Sequence, residues 1–327
     1  MTAISYHDTV NDLQGLDWSD AGPFARPEWF GLLENGAFRP LFAKASEGDR
    51  AVALPLCRTE YGLEALTNWY AFTWCELRTH ESDTAMLHLL AGDLAKRASR
   101  VTLTKLSAED GTLARIETAF AGAGWITFAE PCDTNHVLRV NGRTYADFLA
   151  DRPGQLRTTL KRKARKVDVT LSDRFDPAEW GEYEAIYAAS WKPAEGDPVM
   201  LRAFAQRESE AGRYRFALAR HEGTAVAAQF WTVDGDTAYI HKLAHRKDAQ
   251  NLSPGTTLTA ALFERVIDID GVALVDFGTG DDPYKRDWME EVRTRWQLTC
   301  LRPDHPRNWP VLARHILRKL VSGARHG

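Results

Sequence analysis

Apolar and polar residues follow the same order of periods in two separate stretches of the chain. In the first, "RPLFAKA" (39–45) and "AVALPLCR" (51–58) are short apolar runs on either side of Glu47-Gly48-Asp49, which predicts a β-hairpin. A helix is expected at roughly 83–98. It is followed by a strand in "SRVTLTKLSAED" (99–110) that runs into an acidic loop, a helix ending near Gly122 and a strand in "GWITFAE". In the second, "YRFALARHEGTAVAAQFWTVDGDTAYIHKLA" (214–244) alternates as three antiparallel strands, with turns at His221-Glu222-Gly223 and Asp234-Gly235-Asp236. Leu258, Ala261, Leu262, Val266 and Ile269 recur at helical spacing and predict a helix over 256–269. "DGVALVDFGTGDD" (270–282) is again a strand entering an acidic loop, before a helix and a last strand in "RWQLTCL" (295–301). Aligning "SRVTLTKLSAED" with "GVALVDFGTGDD", and "GWITF" with "RWQLT", suggests one β–α–β unit present twice. The expected architecture is α/β with mixed (α+β) sheets in two domains, 1–150 and 151–327.

The two stretches differ in their chemistry. Only the second has the helix start Ser253-Pro254-Gly255-Thr256-Thr257, and only the second has "DPYKRDW", so the functional site is expected there and the first half is read as a degenerate scaffold. Between them, "DRPGQLRTTLKRKARKV" (151–167) holds seven Lys or Arg in the fifteen residues from Arg152 to Lys166. It reads either as a solvated linking helix over 152–167 or as a platform for phosphates.

Composition narrows the partners. With 327 residues, 44% of them apolar and 26% charged, the chain can bury the cores of two globular domains. A net charge of −4 gives no global attraction to nucleic acid, so any basic site is local. Cys57, Cys75, Cys132 and Cys300 are scattered without a CxxC pair, which fits reduced thiols and predicts no metal site. The N-terminus lacks the charge-then-apolar pattern of a signal peptide, and no apolar run reaches the roughly 18 residues of a membrane span. A cytoplasmic protein is expected.

The start of the helix at Pro254 is the sharpest local signal. Proline is tolerated in a first turn, Ser253 is a favourable N-cap, and Gly255 permits close approach to the backbone. Free N–H groups and the positive end of the helix dipole there suit an anion. The pattern is no Walker A loop, and "GTGDDP" (278–283) is no dinucleotide fingerprint, because its two carboxylates would repel a pyrophosphate. By itself this start is equally a plain helix cap.

The order of a strand meander, a small-residue helix start, then strand, helix and strand resembles the GNAT acyltransferase fold. "AVAAQFWTVDGDTAYIHKLAHRKDAQNLSPGTTL" followed by "VDFGTGDDPYKRDWMEEVRTRWQL" is similar to the CelD/BcsL-type, FemAB-related branch, as are "AVALPLCR…LTNWY" and "LRTTLKRKARK". The resemblance spans roughly residues 25–305 and implies two tandem GNAT-like domains, the first degenerate. It implies the pyrophosphate of a coenzyme A thioester, acetyl or longer, on Ser253, Pro254, Gly255, Thr256 and Thr257, with pantetheine along the preceding strand at Lys242 and Leu243. GNAT loops commonly read Q/RxxGxG/A, whereas Gly255 is the single glycine here. The acceptor it implies is an amine of an envelope precursor, an exopolysaccharide amino sugar or a lipid amine. FemAB-type relatives instead take an aminoacyl group from tRNA, and a third reading is an inactive binding module.

Acyl transfer to an amine needs a base for the amine and an acid for the leaving thiolate. The resemblance suggests Tyr284 as that acid; otherwise it is a packing aromatic. Asp276, ending a strand, points either to a cap or to the site. Asp281 and Asp282 can take an amine proton, hold a cationic acceptor or cap the following helix. Lys285 can bind an anionic group of the acceptor or be a surface lysine. His241, read as sharing a strand face with Leu243 and His245, is a candidate base or a structural histidine. Gln229 on the neighbouring strand and Trp191 are candidates for orienting the acceptor, and Cys300 reads as core. Finally, "NWPVLARHILRKLVSGARHG" (308–327) is an amphipathic helix with a basic face, suited to packing on the second domain or to peripheral contact with an anionic membrane, with Trp309 at head-group depth.

Overall fold

A computed structural model describes residues 1–13, 16, 22–79 and 84–315. It divides into two compact units, one formed by Met1–Asp133 with Thr294–Gly327 and the other by Thr134–Arg293. The division anticipated at residue 150 thus lies inside the second unit, and the last strand belongs to the first.

The first unit contains β1 (Ala3–His7), α1 (Pro27–Glu34), β2 (Pro40–Glu47), β3 (Arg50–Thr59), β4 (Gly62–Ala65), the two-residue β5 (Leu77–Arg78), α2 (Thr84–Leu94), β6 (Arg100–Ser107) and α3 (Thr112–Gly122). Its strands run in the order β1-β2-β3-β4-β6. The expected hairpin is β2–β3, paired from Pro40↔Cys57 to Glu47↔Arg50. β4 and β6 are parallel, at Leu63↔Val101 and Glu64↔Thr102. Beyond that pairing the chain folds back on β6. The Trp74 N–H donates to the Lys105 carbonyl at 3.1 Å, and Lys105 Nζ donates to the Asn68 carbonyl at 2.9 Å. Leu54, Leu90, Leu103, Phe120 and Cys300 are among the fully buried side chains of its core.

The second unit begins part-way along β7 (Ile126–Arg139) and continues through α4 (Tyr145–Ala150), α5 (Gly154–Lys163), β8 (Asp168–Ser172), α6 (Pro177–Ala188), α7 (Pro198–Glu210), β9 (Tyr214–His221), β10 (Thr224–Asp234), β11 (Thr237–His245), α8 (Pro254–Glu264) and β12 (Leu274–Thr279). The strand order is β7-β12-β11-β10-β9-β8. Helices start where the sequence supplies caps. Asp176 accepts from the Ala178 and Glu179 N–H groups at 2.7 and 3.0 Å, Asp197 accepts from Met200 at 2.9 Å, and each is followed by proline. One face of the sheet packs α8 through Trp231, Ile240, Phe263 and Val275. On the other, Phe230 meets Trp180 of α6 and Phe204 of α7 at ring distances of 5.4 and 5.9 Å. Each such buried aromatic or aliphatic side chain contributes about 1.5–3 kcal/mol, which is what fixes the helices against the strands.

The order of elements read twice in the sequence has a structural counterpart with an exchange in it. β13 (Glu291–Leu301) follows the second unit in sequence, yet pairs antiparallel with β6 of the first, from Arg295↔Ser107 to Leu301↔Arg100. β7 follows the first unit, yet pairs antiparallel with β12 of the second, with Asp276↔Val137 in register.

Several expectations change. The segment 152–167 is no linker but part of the second unit, where α5 packs Leu156 and Leu160 into the core. Arg152 is buried, donating to the Phe148 and Trp288 carbonyls and pairing with Glu290. The helix at 254 ends at Glu264 in a π-helical turn, Arg265–Ile269, whose changed phase leaves Ile269 69% exposed. The helix expected after residue 282 is a short 3-10 turn, Pro283–Asp287. The C-terminal segment is helical from 309 to 315, and Leu312 packs on Phe128 and Leu301 of the first unit. Residues 316–327 of that amphipathic pattern lie outside the described residues. No helix among them is long and apolar enough to cross a membrane.

Gly62 gives a test of the β4–β6 junction. It sits at φ +138°, and a Cβ there would lie 2.4 Å from the Arg100 carbonyl oxygen. Gly62→Ala is expected to lower unfolding stability by about 2–4 kcal/mol. Gly48→Ala, at φ +64° in open space, should cost about 1–2 kcal/mol. Urea midpoints measure both, and equal losses would exclude the close contact as the cause.

Candidate functional site

Two adjacent parallel strands of the second unit part company. β11 and β12 pair only at Thr237↔Leu274, Ala238↔Val275 and Tyr239↔Asp276, although β11 continues to His245 and β12 to Thr279. Past Tyr239 no strand among the described residues pairs with that edge of β11. Opposite that edge β12 stays with β7, with a register shift between Asp276 and Thr279.

β11 also carries a bulge at this point. Phe230 pairs with Lys242 but Trp231 pairs with Ile240, so His241 is the extra residue. The bulge removes His241 from the face expected for it. Leu243 and His245 face Gly255 of α8, whereas His241 turns to the α6–α7 side, stacked on Phe230 at 5.0 Å and against Phe204 at 5.1 Å. Its Nε2 shares a 2.8 Å hydrogen bond with the Thr232 hydroxyl. Burial, then the neighbouring Lys242, lowers its pKa to about 3, so the ring is neutral and holds an abstracted proton poorly.

The start of α8 differs in detail from its reading in the sequence. Ser253 does not cap the helix through its side chain; it is left-handed, at φ 52° and ψ 46°, and its hydroxyl accepts from Lys163 Nζ of α5 at 3.1 Å. The first helical bond runs from the Thr257 N–H to the Ser253 carbonyl at 3.3 Å, leaving Gly255 and Thr256 ahead of it. A Cβ on Gly255 would lie 3.3 Å from Leu243 Cδ1, so this glycine keeps α8 close to β11. Gln229 is fully buried and its amide is spent on that same junction. Nε2 donates to the Gly255 carbonyl at 3.0 Å and to the Thr259 hydroxyl at 2.6 Å, and Oε1 accepts from Trp231 Nε1 at 2.8 Å. It positions α8 and does not face an acceptor.

The turn after β12 is held by its own residues. Asp276, 6% exposed, accepts from Asn135 Nδ2 at 3.0 and 2.9 Å and from the Gly278 N–H at 2.7 Å. Lys285 is buried rather than on the surface, donating to the Gly278 and Thr279 carbonyls at 3.3 and 2.5 Å. Asp281 is exposed and pairs with His136 at 3.0 Å and with Arg286 at 2.6 Å. Asp282 occupies the cap position of the 3-10 turn but makes no side-chain cap bond. Tyr284 is half-buried with its ring against Phe277 at 5.6 Å, and burial followed by Asp282 raises its pKa, so the phenol stays protonated.

On the other face, α6, the loop after it and α7 enclose a cavity of about 420 Å³ lined by Tyr183, Tyr187, Lys192, Glu195, Pro198 and Leu201, with Trp180, Glu184, Ala188, Pro193 and Ala194. Glu195 closes on β11 through a buried 2.7 Å pair with Lys242, which therefore does not face the open strand edge. Burial and then Lys242 lower the pKa of Lys192 to about 8. Trp191 is 48% exposed, its ring tilted against that of His245 at 4.3 Å, beside the start of α8. Lys192, Glu195, Asn135 and His136 are not among the candidates from the sequence, whereas Lys163 lies in the basic segment read there as a linking helix or a phosphate platform. Only "WKPAEGDP", a Pro/Gly-rich loop next to Trp191 with both charges in it, offered a signal. Among the described residues no group of acids, histidines and cysteines forms a metal site.

Residues 154–286 match the family model described as an acetyltransferase (GNAT) domain. The GNAT match thus covers α5 to the Tyr284 turn, the parted strands included. No curated protein matches the chain. Among solved structures, FemX superposes with a TM-score of 0.60 at 9% identity, over 83% of this chain and 90% of that one. A C-terminal domain described as from a lysylphosphatidylglycerol synthetase of Agrobacterium fabrum gives 0.56 at 13% identity, over 88% and 90%. A tandem GNAT protein from the clavulanic acid biosynthesis pathway gives 0.53 at 15%, over 91% and 98%. These likenesses establish the fold, a mixed α/β arrangement of tandem GNAT-like form; the CelD/BcsL branch finds no counterpart among them.

His241 gives a direct check on the electrostatics. Its folded pKa lies below the unfolded value, so the neutral ring stabilises the fold above about pH 6.5 and that contribution is lost as pH falls toward 3. Its ring proton shift in NMR spectra is expected to stay flat from about pH 5 to 9. A midpoint near 6.5 would show that the ring is solvated.

Proposed function

We propose that the second unit is an acyl-CoA-dependent N-acyltransferase acting on an amine of a cell-envelope precursor. The observation that carries this reading is the open edge of β11 past Tyr239, beside the start of α8. A strand edge suits the amide groups of pantetheine, which can hydrogen-bond to it as a further strand would. The Gly255 and Thr256 N–H groups and Lys163 suit the pyrophosphate. The name of the lysylphosphatidylglycerol synthetase, and the fold shared with it, favour a lipid-linked acceptor over a free amino sugar.

In this reading the amine nitrogen attacks the thioester carbonyl carbon, the C–S bond breaks, and the thiolate takes a proton from the Tyr284 phenol. The amine proton goes to Lys192, whose pKa burial lowers to about 8 and which so replaces His241 as base. Asp276 and Lys285 hold the turn that presents Tyr284, while Asp281, Asp282 and Trp191 remain available to the acceptor.

A second reading keeps the fold and takes the acyl group from aminoacyl-tRNA. It is favoured by the exposed Arg157, Lys161, Arg162, Arg165 and Lys166 on α5 and the turn after it. A band shift with total tRNA that falls steeply with salt, without heat on adding CoA thioesters, would select it.

Calorimetric titration with acetyl-CoA and longer acyl-CoAs is expected to give binding, and turnover with an amine acceptor should release free thiol. Tyr284→Phe should retain binding and lower kcat about 100-fold. No binding at millimolar thioester by a folded protein overturns the first reading; binding without turnover of any amine leaves only the inactive module.

The base assignment makes its own prediction. Only neutral Lys192 accepts a proton, so kcat/KM should rise with pH through about 8 and then level off. Burial is the main cause of this value, and the charges that adjust it are Lys242, Asp282, Glu195 and Lys285. Lys192→Met should abolish the rising limb; a limb that survives unchanged assigns the base elsewhere.

A further inference from the structure

The first unit contains a second, larger concavity of about 760 Å³ that the proposed chemistry does not use. Its rim is basic: Arg58, Lys96, Arg97, Arg100 and Arg307 contribute five cations, His305 adds a titratable ring, and Glu60 is the one carboxylate lining it. Asp8 and Asp93 reach in from behind to pair with Arg58 at 2.9 Å and Lys96 at 2.6 Å, and Arg97 lies 3.6 Å over the Tyr6 ring. Arg58 and Lys96 nonetheless leave 45% and 76% of their side chains in water. Counting Asp8 and Asp93 with Glu60, five cations face three carboxylates, a local excess of two positive charges in a chain whose net charge is −4. The fold concentrates this charge by bringing together the β3–β4 turn, the end of α2, the start of β6 and the segment that follows β13.

One large exposed aromatic lines this concavity, and a second is the sequence neighbour of a lining residue. Tyr61 lines it with 65% of its surface exposed, and Trp309, next to the lining residue Asn308, is 58% exposed. The Trp309 indole N–H is tied back to the Pro303 carbonyl at 3.0 Å, and its ring is left outward. Exposed Tyr and Trp flanking cations make the side-chain set that sits at a lipid head-group layer, where the rings enter the interface and the cations meet phosphates. RNA bases also stack on aromatics, but an RNA groove follows a backbone over many nucleotides, whereas this one is a single concave patch.

We propose that this face of the first unit docks on the surface of an anionic membrane, its basic concavity taking lipid phosphates while Tyr61 and Trp309 enter the head-group layer. The degenerate half then has a task distinct from catalysis, and neither the nature of the acyl donor nor turnover bears on it. Phosphates of a membrane and free phosphate share this chemistry, and the aromatic pair separates them, because only an interface rewards the rings.

Co-sedimentation of the full chain with vesicles tests the assignment. Vesicles of phosphatidylcholine mixed with phosphatidylglycerol are expected to pull down the protein, while pure phosphatidylcholine does not. Arg100→Gln with Arg307→Gln should weaken the partition at least about tenfold, since each cation near an anionic surface contributes roughly a factor of five. Tyr61→Ala with Trp309→Ala should weaken it several-fold with the charge unchanged. Thermal melting checks that both variants are folded; Lys161→Glu with Arg162→Glu on α5 should leave the partition intact. Equal recovery on neutral and anionic vesicles overturns the proposal, as does binding lost in the α5 variant but kept in the Arg100/Arg307 variant. Competition by inorganic phosphate with no effect of the aromatic pair would assign a free anion site, and tRNA binding without vesicle binding would assign RNA; either result also overturns it.

Discussion

Two neighbouring strands that pair for three residues and then separate impose the main constraint on the second unit. A strand edge left open must find other partners for its N–H and C=O groups, so the surrounding structure has to hold the gap apart against its tendency to close. The materials for that are visible. Gln229 pins the first turn of α8 to β10, Gly255 lets α8 sit against Leu243, and Asp276 with Asn135 and Lys285 keeps the end of β12 directed toward β7. Gln229, Asp276 and Lys285, three of the polar side chains taken from the sequence as candidates for touching substrate, make the hydrogen bonds that keep this opening in shape.

The other half closes the corresponding gap. β4 and β6 repeat the parallel pair of β11 and β12, but the chain after β4 returns to β6 and is fastened there, through the Trp74 N–H and the Lys105 ammonium. Burial lowers the pKa of that lysine to about 8, the cost of using an ammonium as an internal clasp. A duplicated unit can therefore lose its gap without losing its fold: a segment of its own chain supplies the hydrogen bonds that the open edge would otherwise need.

Much of the architecture was legible because it rests on short-range patterns. The three-strand meander at 214–245 follows from alternation interrupted by Glu222-Gly223 and Gly235, and the start of α8 from Pro254-Gly255. What escaped depends on partners distant in sequence. Nothing in "AYIHKLA" marks the bulge that turns His241 away from Leu243, because the bulge is defined by the register with Phe230 and Trp231. Arg152 looks like one more surface cation until Glu290, 138 residues later, is brought to it. Ser253 reads as a cap from its neighbours alone, whereas its backbone is left-handed and its hydroxyl is taken by Lys163. Asn135 and His136 stand in a strand whose pairing partner, β12, begins only at Leu274.

The exchange of last strands bears on how the chain is made. A polypeptide leaves the ribosome from its N-terminus, and domains generally fold in that order. Here the residues that pair with the inner edge of β6, Arg295 to Leu301, are translated after the whole second unit. The half made first thus waits with a bare strand edge while nearly two hundred further residues emerge, and it is the half made last that completes first. Any fragment ending before Arg295 would leave the earlier half in that waiting state, with an adhesive edge exposed to other nascent chains.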